Sequence, residues 1–184
     1  MLRLQDNPSM VGPTSAAMED AQLLWNVAYC KPRQEKALAG DLREREIPYF
    51  LPMFLKETSS GGRRRRNLYP LFPSYVFVGG GERERLAALK TDRIVRFVPV
   101  AVGEQARLGQ ELRFLHVALE HCPDSLELYS RLVPGARARI TSGPMKNIEG
   151  VIVQADNKRK LCLSVSVLGV GATIEIHADF LQAE

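Results

Sequence analysis

The sequence predicts an α+β protein in two parts, an antiparallel four-stranded sheet with helices gathered on one side, followed by a small β-barrel. Three observations carry that expectation. Between Leu24 and Cys122 the apolar pattern changes period in the order strand, helix, strand, strand, helix, strand, helix, with hairpin-like neighbours rather than a regular βαβ repeat. Pro123 to Pro134 then breaks the pattern with a proline at each end and mostly polar residues between, as a boundary does. Pro134 to Glu184 carries four or five short strands, and closing such strands into a barrel removes edges that would otherwise pair with other chains. The expected organisation is a disordered tail over 1–22, a first domain over 23–122, a linker over 123–133 and a barrel domain over 134–184.

Each element has its own signal. Trp25, Val27 and Tyr29 alternate with smaller or polar neighbours through Leu24–Cys30, the period of a half-buried strand. Pro32 suits the first turn of a helix, where its missing N–H has no partner to lose. Gln34–Glu46 continues as a charged helix with Leu38 and Leu42 one turn apart, closed by Ile47-Pro48. Tyr49–Leu55 reads as a second strand interrupted by Pro52, at an edge or bulged. Lys56–Gly62 ends in Ser-Ser-Gly-Gly and reads as a loop tip, which makes Arg63–Arg66 project from a hairpin. Tyr75–Val78 is a third strand, Glu82–Lys90 a short helix with Leu86 and Leu89 inward, and Ile94–Val100 a fourth strand. Leu108, Leu112, Leu115 and Leu119 repeat at four, three and four, which puts one apolar stripe on a helix over Glu104–Cys122. In the last part, Ala136, Ala138 and Ile140 alternate with Arg137, Arg139 and Thr141. Gly150–Gln154, Lys160–Leu168 and Thr173–His177 follow as further strands.

The stretch Tyr69–Gly79 sets large apolar side chains directly after the densest positive charge. Pro70 and Pro73 cannot donate to a ladder, so Tyr69–Ser74 is expected at a strand edge or in an irregular approach. That makes Leu71, Phe72 and Tyr75 candidates for surface contact as well as core, with the prolines favouring the surface for Phe72 and Tyr75.

The chain of 184 residues has 45% hydrophobic and 25% charged residues, the profile of an ordinary globular protein. Its net charge of +4 is uneven. Leu23–Cys122 holds 17 Lys and Arg against 11 Asp and Glu, whereas Pro134–Glu184 holds 6 against 5, so a polyanionic neighbour suits the first domain. Cys30, Cys122 and Cys162 are scattered without a Cys-x-x-Cys pair, which reads as reduced thiols in a cytoplasmic protein without a zinc or redox signature. Met1–Gln22 lacks a basic region followed by an apolar core and is no secretion signal, with Met18 a possible alternative start. No run approaches the length of a membrane span. Catalysis finds no support either. His116 and His121 are five apart on a helix, where ligands at three or four would share a face, and no nucleophile set, phosphate loop or metal spacing occurs. No cofactor or metal is expected.

Both parts resemble the NusG family of transcription elongation factors. In the first, Trp25-x-Val27-x-Tyr29, the helix with Glu35-Lys36 and above all Phe72-Pro73-x-Tyr75-Val76-Phe77-Val78 look like the family's N-terminal (NGN) domain. In the second, Gly135–Ala155 with Gly143-Pro144 and Gly150-Val151, and Ala178-Asp179-Phe180 further on, looks like the KOW motif. The resemblance implies an NGN fold followed by a five-stranded SH3-like barrel, in a monomeric, non-enzymatic factor. Its first domain would rest on the clamp coiled coil of RNA polymerase, bridge the DNA channel and suppress pausing. Trp25, Leu71, Phe72 and Tyr75 match the polymerase-facing pocket, although Trp25 suits a sheet core equally well.

The departures are informative. Ser74 stands where the family commonly has glycine, a tolerable change if φ there is below zero. Val167-Leu168-Gly169-Val170 occupies the loop in which the general factor carries an aromatic residue and an arginine for the termination factor Rho or a ribosomal protein. Val167, Leu168 and Val170 are therefore the candidates for a partner of the second domain, and those two partnerships are in doubt. Tyr29-Cys30-Lys31 and Pro70-Leu71-Phe72-Pro73 look more like specialised, operon-restricted antiterminators than the general factor. Arg63, Arg64, Arg65, Arg66 and Arg33 are the nucleic-acid candidates, for non-template DNA or the upstream duplex, since arginines on phosphates give affinity without sequence readout. An RNA-binding or ribosome-associated module is the alternative of another class.

Overall fold

The computed structural model describes residues 7–60, 63–121, 127–129, 135, 137–155, 158–175 and 181–183. They form two compact units, 1–109 and 110–184.

The first unit is built on a five-stranded sheet in the order β1-β3-β6-β2-β7, comprising β1 (Val11–Gly12), β2 (Trp25–Cys30), β3 (Tyr49–Phe50), β6 (Tyr75–Gly79) and β7 (Ile94–Val98). All its pairs are antiparallel. Four of these strands are the four expected. The fifth, β1, comes from the segment expected to be a tail. Val11 and Gly12 pair with Phe50 and Tyr49, and Met18 is buried just beyond.

One face of this sheet packs on helix α1 (Glu35–Glu44). Ala28, Cys30, Val76 and Val78 from the strands meet Leu38, Ala39 and Leu42 from the helix, with Tyr49, Leu51 and Met53 completing the core. Leu38 and Leu42 lie one turn apart and both are fully buried, as the pattern requires. Helix α2 (Glu82–Leu89) departs from expectation. Its buried residue is Ala88, while Leu86 and Leu89 are 48% and 37% exposed. The small Ala88 is the side chain that the core cluster admits there, with Ala87 packed partly against it.

The stretch read as one strand with an interruption is two strands in different sheets. Pro52 separates β3 from β4 (Met53–Ser60), which pairs with β5 (Arg63–Pro70) in a two-stranded sheet of its own. The expected loop tip at Lys56–Ser60 is thus strand, and Arg63–Arg66 lie within β5 rather than beyond it. The register Ser60↔Arg63 leaves Gly61 and Gly62 as the connection, and these two lie outside the described residues.

Helix α3 (Gln105–His121) carries the expected stripe, with Leu108, Leu112, Leu115 and Leu119 all buried. The unit boundary falls inside this helix, earlier than the linker expected at 123–133. Part of that linker is β8 (Glu127–Tyr129), an edge strand paired with β12 (Val170–Glu175).

The second unit's sheet has six strands in the order β13-β9-β10-β11-β12-β8, with β9 (Arg137–Ile140), β10 (Glu149–Ala155), β11 (Lys158–Val165) and β13 (Leu181–Ala183). Among the described residues the ladder runs from β13 to β8 without a pairing that closes it. Six strands therefore stand where five were expected, the extra strand coming from the linker. Ala178-Asp179-Phe180, part of the KOW resemblance, lies outside the described residues.

Candidate interaction surfaces

The sheet face opposite α1 is aromatic. Because side chains alternate along a strand, the partners of the α1-facing Ala28 and Cys30 are Trp25, Val27 and Tyr29. The registers Tyr29↔Tyr75, Val27↔Phe77 and Phe50↔Phe77 bring Tyr75, Phe77 and Phe50 onto the same face. Phe50 stacks on Phe77 at 6.1 Å between centroids, and Phe72 meets Phe77 edge-on at 6.1 Å, the offset and T-shaped geometries that ring quadrupoles favour. At the rim Tyr29 and Tyr75 form a tilted cross-strand pair at 5.3 Å, and the Arg96 guanidinium lies 5.5 Å from the Tyr29 ring centre.

This arrangement puts Trp25, Phe72 and Tyr75 on one face but corrects the expected exposure. Leu71, Phe72 and Trp25 are buried, Phe72 at 2% exposure, so the surface role that the prolines favoured for Phe72, and the surface candidacy of Leu71, do not hold. Pro73 explains the outcome. Rather than sitting at a free strand edge, it is the second residue of a turn in which Tyr75 N–H donates to the Phe72 carbonyl at 3.1 Å. The turn folds Phe72 back under the sheet, while Tyr75 stays half-buried at the rim.

Ser74, the residue after Pro73, has φ +67°. Proline followed by a positive φ is the pattern of a type II turn, whose third position favours glycine. The condition under which serine is tolerable there is thus not met. The strained backbone is held from both sides. Ser74 N–H donates to the buried Glu35 carboxylate at 2.7 Å, and Cys30 N–H donates to the Ser74 carbonyl at 2.8 Å. The same turn pattern recurs at Lys31-Pro32-Arg33-Gln34, where Gln34 N–H donates to the Lys31 carbonyl at 3.1 Å and Arg33 has φ +64°. Pro32 therefore belongs to a turn ahead of α1 rather than to its first turn.

The basic candidates lie on separate elements. Arg33 is exposed on the β2–α1 turn. Arg63–Arg66 sit in β5, opposite Ser60, Ser59, Thr58 and Glu57. Arg66 pairs with Glu57 at 3.1 Å with both side chains more than half exposed, so this contact contributes little stability. Arg93 is structural. Its Nε donates to Asp41 and its Nη1 to Gln34, each at 2.5 Å, fastening the α2–β7 turn to α1.

In the second unit Val167 and Leu168 lie in a 3-10 turn (Ser166–Leu168), and Val170 opens β12. All three are half-buried. Gly169 has φ +66°, the conformation that suits glycine, and Ser166 donates through its N–H at 2.9 Å and through its hydroxyl to Glu111 of α3. Sequence reasoning missed Tyr29 as a contact residue and the tethering roles of Glu35 and Glu111. For Tyr29 the strand alternation was a usable signal, whereas the two carboxylates act through pairings between distant segments that no local pattern marks.

Residues 23–112 match the family model described as transcription termination factor nusG. Over this segment the chain is a match to the NusG family. It is 26% identical over 133 residues to the transcription termination/antitermination protein NusG of Buchnera aphidicola subsp. Acyrthosiphon pisum, covering 67% of this chain and 70% of that protein. To the protein of the same name in Escherichia coli strain K12 it is 27% identical over 128 residues, again covering 67% and 70%. A solved structure of Thermotoga maritima NusG aligns with 89% of this chain and 98% of that one, at 17% identity and a TM-score of 0.47. The NusG assignment rests on the sequence matches, and the family model covers the aromatic face, the β4–β5 hairpin and both proline turns.

Proposed function

We propose that this chain is a NusG-family transcription elongation and antitermination factor that docks on the clamp coiled coil of RNA polymerase through the rim of its aromatic sheet face. The family match over 23–112 carries the reading. Tyr75, with Tyr29 and Arg96 beside it, supplies the contact, and Trp25, Leu71 and Phe72 hold that rim from within the fold. From this seat the first unit bridges the DNA channel, with Arg63–Arg66 and Arg33 meeting DNA phosphates. Tyr29-Cys30-Lys31 and Pro70-Leu71-Phe72-Pro73 favour action at a restricted set of operons over a general role. The turn at Val167, Leu168 and Val170 is the surface for a partner of the second unit, and its lack of an aromatic or arginine disfavours Rho and the ribosome. The test is capture of purified bacterial RNA polymerase by the full chain and by a Tyr29→Ala/Tyr75→Ala variant whose Trp25 fluorescence shows an intact fold. Capture by the parent, loss in the variant and persistence at moderate salt are expected. A parent chain that retains no polymerase refutes the proposal. Capture that collapses between low and moderate salt transfers the contact to the basic residues, as nucleic-acid binding would.

A further inference from the structure

The segment before Trp25 does more than cover a sheet edge. Met10 carbonyl accepts the Leu51 N–H at 2.7 Å, and the Tyr49 hydroxyl donates to the Ser9 carbonyl at 3.2 Å. Gly12 lies against the Tyr49 side chain, so close that a Cβ there would stand 2.4 Å from a ring carbon. At its start this segment meets the arginine hairpin's stem through one side chain. Lys36 Nζ, from α1, donates both to Asn7 Oδ1 at 2.5 Å and to the Leu68 carbonyl of β5 at 2.6 Å. Met10 and Leu68 also pack on the same core cluster. The Lys36 ammonium is half-buried and its pKa is lowered, chiefly by desolvation and against the pull of Glu35. Its hydrogen bonds therefore replace water it has lost.

The hairpin depends on such anchors. β4 and β5 form no ladder with the five-stranded sheet, and an isolated two-stranded hairpin is marginal in water. We propose that residues 7–12 are a strap that grips the stem of the β4–β5 hairpin, with Lys36 as the coupling residue. Attachment of the strap sets how rigidly the strand bearing Arg63–Arg66 is held, whatever that strand contacts.

Hydrogen exchange on the full chain tests this, because the Leu51 amide reports strap attachment separately from the hairpin amides. In Gly12→Val, Leu51 and the amides of β4 and β5 are expected to exchange at least tenfold faster, while the central β2–β6 amides keep their protection. In Lys36→Met and Asn7→Ala, which leave the Gly12 packing intact, the hairpin amides are expected to accelerate severalfold with Leu51 still protected. The proposal is overturned if Gly12→Val frees Leu51 without changing the hairpin, or leaves Leu51 protected. Lys36→Met with parental hairpin rates overturns it too, and decides the matter if Gly12→Val loosens the central strands.

Discussion

Phe72→Ala separates a buried Phe72 from an exposed one. Phe72 is 2% exposed and meets Phe77 edge-on at 6.1 Å. Truncating a phenylalanine so placed costs about 3–5 kcal/mol, since both the transfer energy of the ring and the cavity it leaves count against the fold. About 0.5–1.5 kcal/mol of that belongs to the aromatic pair. Tyr75 is half-buried, and half the transfer energy of a fully buried large side chain is about 0.75–1.5 kcal/mol. Trp25 is the sole tryptophan and lies buried in the same sheet, so its fluorescence during urea unfolding follows the first unit. With a denaturant slope of about 2 kcal/mol per molar, Phe72→Ala lowers the midpoint by about 1.5–2.5 M and Tyr75→Ala by about 0.5 M. A variant unfolded before urea is added is the same outcome at its limit, because whole-domain stabilities run only to about 5–15 kcal/mol. A Phe72→Ala midpoint shift no larger than that of Tyr75→Ala would refute the burial and return Phe72 to the surface.

Ser74→Gly is expected to raise stability by up to about 1 kcal/mol. Relief of a left-handed residue gains about 1–2 kcal/mol, and the freer unfolded glycine gives part of it back; urea midpoints measure it, and a destabilised variant would mean that the turn does not strain Ser74. Arg93→Ala is expected to cost about 1–2 kcal/mol in the same assay, because two hydrogen bonds that join α1 to the α2–β7 turn are lost from a partly screened site; no change would make those bonds incidental. Burial pushes the Cys30 thiol up to about 12 and the Cys162 thiol up to about 11. Both should resist iodoacetamide at pH 8 while the chain is folded, with mass mapping as the readout, and rapid labelling of either would contradict its burial. The folded thiols keep their protons where unfolded ones lose them, from about pH 8.5. Stability should therefore fall as pH rises above about 9, and these two groups give no such loss at lower pH.

What was legible in the sequence is what a local period encodes. Trp25-Val27-Tyr29 announced β2, the leucine repeat announced α3, and the succession of the first sheet's four main strands along the chain followed. β4 and β5 were harder to see beyond Leu55, because Lys56–Arg66 is almost wholly polar and carries no apolar alternation to read. β1 is two residues long, and it exists because Gly12 fits against the ring of Tyr49, a match made across distant segments. For the candidate surface, the composition of Tyr69–Gly79 pointed to Phe72 and Tyr75, which the structure brings to the aromatic face. Whether Phe72 faces out or in depended on a turn whose positive φ at Ser74 is stabilised by Glu35, and that carboxylate lies far back in the chain.

The separateness of the β4–β5 hairpin bears on how this chain can vary over evolutionary time. Inserting residues into a strand of the main sheet shifts its register and turns its side chains to the wrong face. Adding matched residues to β4 and β5 disturbs no ladder but their own. Each added cross-strand pair lengthens the arm by about 3.3 Å, and pairs added two at a time preserve the inward and outward alternation. Reach away from the core is thereby a quantity that can drift by small insertions while the aromatic sheet face stays fixed.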